Sequence, residues 1–182
     1  MRKCYVLIAA LVCAAAGTSV ALASGHSATG GAVVKAFGGE KVVINKFMAD
    51  EMHFSPGTVT VKSGSTLTFE YGDKEQDPHT ITILNKSDMP RTPKQVENCA
   101  ACQKYASPHL KNPKAEPGPA NPIVHWVLNK GQAGLDTVGD SVAIFSQAGH
   151  KKVSVKVSAP AGTTLYFVCA VHPWMQGKIV VN

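Results

Sequence analysis

From Glu40 onward, apolar side chains recur at every second position in short runs separated by Gly, Pro, Asn and Asp. KVVINKF, TVTVK, TLTFEY, HTITIL, IVHWVL, VAIF, KVSVKV, TLYFVC and KIVVN all carry this period and are rich in β-branched residues. That is the pattern of strands with one face on a core, and a series of them punctuated by turn residues predicts an all-β sandwich. No stretch beyond the N-terminal segment offers a long, clean helical period, and there is no internal repeat. The strand pattern lapses between Asn85 and Pro122, where seven prolines accompany almost no branched aliphatics. Residues 85–122 are predicted to be a Pro-rich insertion outside the sheets, with one short helix around Lys94 to Tyr105.

The N-terminal segment has a different grammar. Arg2 and Lys3 precede an apolar run from Tyr5 to about Ala16, and Ala21-Leu22-Ala23 closes it as a small-x-small cleavage site, so residues 1–23 are predicted to be a secretory signal peptide. An uncleaved anchor is the alternative, but Gly17, Thr18 and Ser19 break the run before it reaches the roughly 20 residues of a spanning helix. Lipoprotein processing at Cys13 is set aside, because Val12 is a poor residue before that cut. Residues 24–39, rich in Gly, Ser and Ala, are predicted to be a flexible leader, and residues 40–182 a single domain. The mature protein is expected outside the cytoplasm, periplasmic or extracellular, with no stable membrane insertion.

Charge changes the picture little. The formal net charge of +6 falls to +4 once Arg2 and Lys3 are removed, and the lysines are scattered rather than set beside aromatics, which argues against nucleic acid as a partner. Cysteine usage changes it more. Cys4 and Cys13 leave with the signal, so the exported chain holds Cys99, Cys102 and Cys169. An odd count in an oxidising compartment requires a reason for the third.

Strand parity supplies that reason. His79, Ile81 and Ile83 share one face of HTITIL, with Thr80 and Thr82 on the other; Leu165, Phe167 and Cys169 share one face of TLYFVC. His79 and Cys169 are therefore inward residues at strand ends, and the loop after Cys169, stiffened by Pro173, presents His172 and Met175. Two imidazoles, one thiolate and a weak thioether form the ligand field of an electron-transfer copper; zinc gains nothing from the methionine. Apolar neighbours such as Phe167 and Val168 would shelter the thiolate from oxidation.

DPHTITIL together with YFVCAVHPWMQGKIVV resembles the blue-copper cupredoxins, the plastocyanin, pseudoazurin and amicyanin group, and the Cys-x2-His-x2-Met spacing is most similar to amicyanin. The resemblance covers about residues 53–84 and 150–182, with HFSPGTVTVKSGSTLTFEY as opening strands. It implies an eight-strand Greek-key β-sandwich holding one type 1 copper through His79, Cys169, His172 and Met175. The Asn85 to Gly149 connection is much longer than in the small members of that family. Loop closure costs grow slowly with length, so the extra chain does not argue against the site.

Trp174, between two of these residues, is either folded back on the sandwich or an exposed apolar contact beside His172 at which a protein redox partner docks. Cys99-Ala-Ala-Cys102 is followed by Gln103 where an attached haem requires histidine; a local disulfide is favoured, with a second metal site using His109 or a redox-active dithiol as alternatives. His26, His53, His125 and His150 have no partner at ligand spacing and are read as solvated or structural. The expected function is an exported one-electron carrier rather than an enzyme. An oxidase or nitrite reductase subunit would commonly wire a second copper through a histidine adjacent to the cysteine, and Cys169 is flanked by Val168 and Ala170. Copper delivery or storage through CAAC and Met48, Met52 and Met89 is the other class.

Overall fold

The computed structural model describes residues 31–72, 77–115 and 118–182. In chain order the strands are β1 (Ala32–Phe37), β2 (Glu40–Val43), β3 (Phe47–Asp50), β4 (His53–Ser55), β5 (Thr58–Val61), β6 (Thr66–Tyr71), β7 (His79–Leu84), β8 (Val127–Leu128), β9 (Ser141–Ile144), β10 (Lys152–Lys156), β11 (Thr164–Val168) and β12 (Gln176–Val181). Two short helices, α1 (Pro93–Glu97) and α2 (Ala100–Ala106), lie between β7 and β8. One sheet runs β10-β6-β1-β4, the other β5-β12-β11-β7-β9-β8, and β2-β3 form a separate hairpin. The molecule is the all-β sandwich that the alternation predicts, with the Greek-key connections that the resemblance implies. Its ten sandwich strands exceed the expected eight through short edge pieces such as β4 and β8. Among the described residues no helix is long and apolar enough to cross a membrane; the predicted signal lies outside them.

The period of two does the expected work between the sheets. Val34, Ala36, Phe54, Leu67 and Phe69 of one sheet face Ile81, Ile83, Leu165, Phe167 and Ile179 of the other, all buried in one core cluster. Phe54 joins the layers, with its ring centroid 5.8 Å from Phe69 and 5.3 Å from Phe167, both edge-on. Phe167 has room because its cross-strand partner is Gly177, where a methyl group would overlap the phenyl ring.

Three expectations are corrected here. The leader reading of residues 24–39 fails at its C-terminal end, because β1 pairs in parallel with β6 and antiparallel with β4, an interior position that buries Val34 and Ala36 completely. The fold therefore begins by Ala32, eight residues before Glu40; Val-Val-Lys-Ala-Phe is too short an alternation to stand out beside its glycines. KVVINKF is two strands and a turn rather than one strand, since Asn45 takes a left-handed backbone (φ 59°), which asparagine tolerates better than most residues, and reverses the chain between β2 and β3. IVHWVL is likewise mostly extended coil, ordered as strand only at Val127–Leu128.

The insertion is a cover. Thr80, Thr82 and Leu84 point away from the main core, yet every residue of β7 is buried, because α2 and the segments flanking it lie across the outer face of that sheet. Leu84, Val168 and Ala170 there meet Met89, Cys99 and Cys102 in a second apolar cluster. Pro93 opens α1 at a position where its missing N–H is not needed, with Thr92 as N-cap accepting from the Gln95 amide. Cys99 caps α2 and is disulfide-bonded to Cys102 one turn on. So short a closed loop constrains the unfolded chain by only about 2 kcal/mol. Replacing both cysteines by serine is expected to lower stability by no more than that and to leave the sandwich intact. Alkylation of the denatured, unreduced protein after export should label a single thiol, Cys169; three labelled thiols would overturn the pairing.

Candidate metal centre

His79 opens β7 opposite Ile144 of β9, and Cys169 directly follows β11, which lies on the other side of β7. Neighbouring strands thus bring together two residues 90 positions apart. The loop from Cys169 to Met175 is closed on itself: the Cys169 amide donates to the Met175 carbonyl and the Met175 amide to the His172 carbonyl, both at 2.9 Å. His172 is thereby turned back over the strand end.

The Nδ1 atoms of His79 and His172 lie 3.2 Å apart, and the Cys169 Sγ is 3.6 Å and 3.7 Å from them. Three donors mutually this close are spaced to share one ion. Among the described residues this is the one such group of His, Cys, Asp and Glu side chains. His79 and Cys169 are wholly buried, whereas His172 is half-buried. Met175 is buried in the same core cluster as Cys169. Tyr71 meets the His79 ring edge-on at 6.0 Å and is tied by its hydroxyl to the Asp77 carbonyl and the Ser146 amide. Trp174, 41% exposed, tilts over His172 at 5.2 Å.

Burial pushes the Cys169 thiol up to about 11, against hydrogen bonds that draw it down, first among them that from the Thr80 amide; that N–H reaches the sulfur at 3.4 Å. The protein alone therefore keeps the sulfur protonated at neutral pH, and a cation is needed to hold it as thiolate. The donor set fits that purpose: two imidazole nitrogens and a soft sulfur, dry and already gathered.

The remaining histidines separate by role. His53 stacks on Phe37 and His150 on Trp126. The suggested second metal site is not assembled: Cys99 and Cys102 bond each other, and the ring nitrogens of His109 face the His125 carbonyl and the Ser141 hydroxyl. Sequence reasoning missed what surrounds the donors, namely Tyr71, Thr80 and the buried polar group of Thr82, Ser141 and His109. Thr80 and Thr82 could have been flagged by their parity with Leu84; nothing local marks Ser141 or His109.

Burial lowers the His109 pKa from its usual 6.5, opposed by the hydrogen bond to the His125 carbonyl, with the nearby His125 charge lowering it further. The unfolded chain takes up this proton near pH 6.5 and the folded chain only at lower pH. The contribution to stability is thus complete above pH 6.5 and lost as pH falls through the depressed folded value, with a slope of at most about 1.4 kcal/mol per pH unit. Denaturant titrations of wild type and His109→Gln should diverge in slope in that window; parallel curves would show that His109 takes up its proton equally in both states.

No protein-family profile matches the chain, and no curated protein matches it by sequence. Solved structures do match its shape. A purple cupredoxin from Nitrosopumilus maritimus is 12% identical over 83% of this chain and 99% of its own, with a TM-score of 0.42. Plastocyanin from Dryopteris crassirhizoma is 16% identical over 83% of this chain and 100% of its own, at 0.40. Auracyanin A, a "blue" copper protein from Chloroflexus aurantiacus, is 18% identical over 84% and 100%, also at 0.40.

Proposed function

We propose that this chain is an exported cupredoxin-like protein that holds one type 1 copper and carries single electrons between protein partners. The observation that carries the reading is the group of His79 Nδ1, His172 Nδ1 and Cys169 Sγ within 3.7 Å of one another. Bound copper would supply a one-electron couple. His79, His172 and Cys169 would be its strong donors and Met175 a weak one, a set that suits both oxidation states. The hydrogen bonds across the 169–175 loop hold these donors in place before any ion arrives, so little rearrangement accompanies a change of charge. Phe167, Val168 and the main core exclude water from the sulfur. Half-buried His172 is the route outward, and the exposed Val171 and Trp174 beside it offer an apolar surface to a partner.

Copper delivery is the weaker reading. Met48 is exposed on the β2-β3 hairpin and Met52 packs against the main core, so only Met89 lies beside CAAC, whose two sulfurs are bonded to each other. Loading the purified protein with copper tests the assignment: one copper per chain and an intense visible sulfur-to-copper absorption are expected. A colourless protein, or one holding several Cu(I) ions, would remove it. Met175→Leu should retain copper and colour while raising the midpoint potential, because losing a donor destabilises Cu(II) more than Cu(I). Loss of the metal in that variant would mean that Met175 acts by holding the loop.

A further inference from the structure

We propose that His109, carried by the insertion, is a positioning residue that sets the direction of a buried hydrogen-bond chain ending beside the metal centre, and so keeps the Thr80 hydroxyl hydrogen off the Cys169 sulfur. The links of the chain stand on geometry; its electrochemical consequence rests on the copper reading above.

The links are continuous. The Ala170 amide lies 2.8 Å from Thr80 Oγ1. Thr80 Oγ1 is 2.9 Å from Thr82 Oγ1, its neighbour on the outer face of β7. Thr82 Oγ1 is 2.7 Å from the hydroxyl of Ser141, its cross-strand partner on β9. Ser141 Oγ is 2.7 Å from His109 Nε2, and His109 Nδ1 meets the His125 carbonyl. All four side chains are at least 97% buried, so water offers them no alternative.

Direction follows from the two ends. A carbonyl only accepts, so His109 Nδ1 carries a hydrogen and donates to His125. Burial keeps the ring neutral, which leaves Nε2 bare and able only to accept. Ser141 must then donate to Nε2, Thr82 to Ser141 and Thr80 to Thr82, while Thr80 Oγ1 accepts from the Ala170 N–H. Each hydroxyl gives one hydrogen and receives one. Remove Thr82 Oγ1 and the Thr80 hydrogen loses its acceptor; remove His109 and the chain can reverse, with Ser141 donating to Thr82 and Thr82 to Thr80, which leaves the Thr80 hydrogen to turn elsewhere. The Cys169 sulfur is the acceptor beside it, since the amide of the same residue reaches that sulfur at 3.4 Å. A hydrogen bond donated to the sulfur withdraws electron density from its bond to copper and favours the reduced state. The insertion thus sets the electronic state of a site from which it is separated by one strand, through hydroxyls that a bare sandwich would expose to solvent.

The first test needs neither variant nor metal. Nitrogen-15 NMR of the metal-free protein at neutral pH should find His109 neutral with its hydrogen on Nδ1; a hydrogen on Nε2, or a charged ring, overturns the proposal. In the copper-loaded protein, Thr82→Val and His109→Phe should both raise the midpoint potential and move the sulfur-to-copper band to higher energy. His109→Gln, whose amide can accept from Ser141 and donate to the His125 carbonyl, should restore wild-type values. Should His109→Phe fail to fold, Thr82→Val, which exchanges one hydroxyl for a methyl, decides alone. A blue wild type beside a Thr82→Val variant with unchanged potential and band sinks the chain and spares the copper assignment. A wild type that stays colourless sinks that assignment, and the His109 tautomer with the Ala170 amide proton shift in Thr82→Val then decides the chain separately.

Discussion

Replacing Cys169 by serine is expected to abolish the visible absorption proposed for the copper-loaded protein, and with it tight copper binding. The band requires a sulfur donor, and a serine hydroxyl in the same dry position neither ionises near neutral pH nor suits Cu(I), which prefers soft ligands. The fold should survive. The Thr80 amide that reaches the sulfur at 3.4 Å can donate to an oxygen instead, so the metal-free variant is expected to lose only about 1–2 kcal/mol for burying a hydroxyl. Visible spectra and metal analysis, with a thermal melt as control, separate the two effects. A variant that stays blue would show that the colour arises elsewhere, and none of the donors assigned here would stand. His79→Ala should also be severe, since it removes a wholly buried nitrogen donor.

The largest effect on stability is expected far from the donors, at Asp140. Its side chain is wholly buried, and its two oxygens accept from three backbone amides, Lys130 at 2.6 Å and Asp136 and Thr137 at 2.8 Å each. Its own carbonyl accepts from the Ile83 amide, and the Ile83 carbonyl accepts from Gly139, so one residue ties the 129–140 connection to the middle of β7. Asp140→Ala leaves three part-buried N–H groups without their carboxylate acceptor. At about 1 kcal/mol or more apiece, the loss is at least about 3 kcal/mol, a large share of the 5–15 kcal/mol typical of a domain, and a fall in Tm of about 6–12 °C. Asp140→Asn keeps one acceptor oxygen and should cost less. A melt within 2 °C or so of wild type for the alanine variant would mean that the connection is not held by this carboxylate.

The convergence of His79, Cys169 and His172 was legible because each announces itself by parity or spacing. His79 and Cys169 fall on the inward phase of strongly alternating strands, and His172 and Met175 follow at a constant interval of three. The sandwich was legible for the same reason. Legibility ends where the period of two is brief or where packing is not periodic. Val34 and Ala36 of β1 offer two inward positions beside a glycine-rich segment, too little to be told from a leader. Met89, Cys99 and Cys102 cover the sheet at irregular spacing, so the insertion read as an excursion when it is the second wall of β7. Asp140 and Ser141 look like ordinary loop polar residues; only tertiary contact makes one a clamp and the other part of a relay.

That β7 is enclosed on both faces bears on how the chain can be trimmed. Cutting it back to a minimal sandwich by joining Asn85 to the start of β9 would expose Leu84, Val168 and Ala170 as a greasy stripe along the sheet, and would flood the Thr80 and Thr82 hydroxyls with solvent. The shortened protein would tend to self-associate through that stripe, and its redox poise would drift with whatever molecule came to cover it. The additional chain is accordingly better regarded as a fixed panel of the housing than as an ornament, and a graft of the metal loop onto another scaffold would have to bring that panel along.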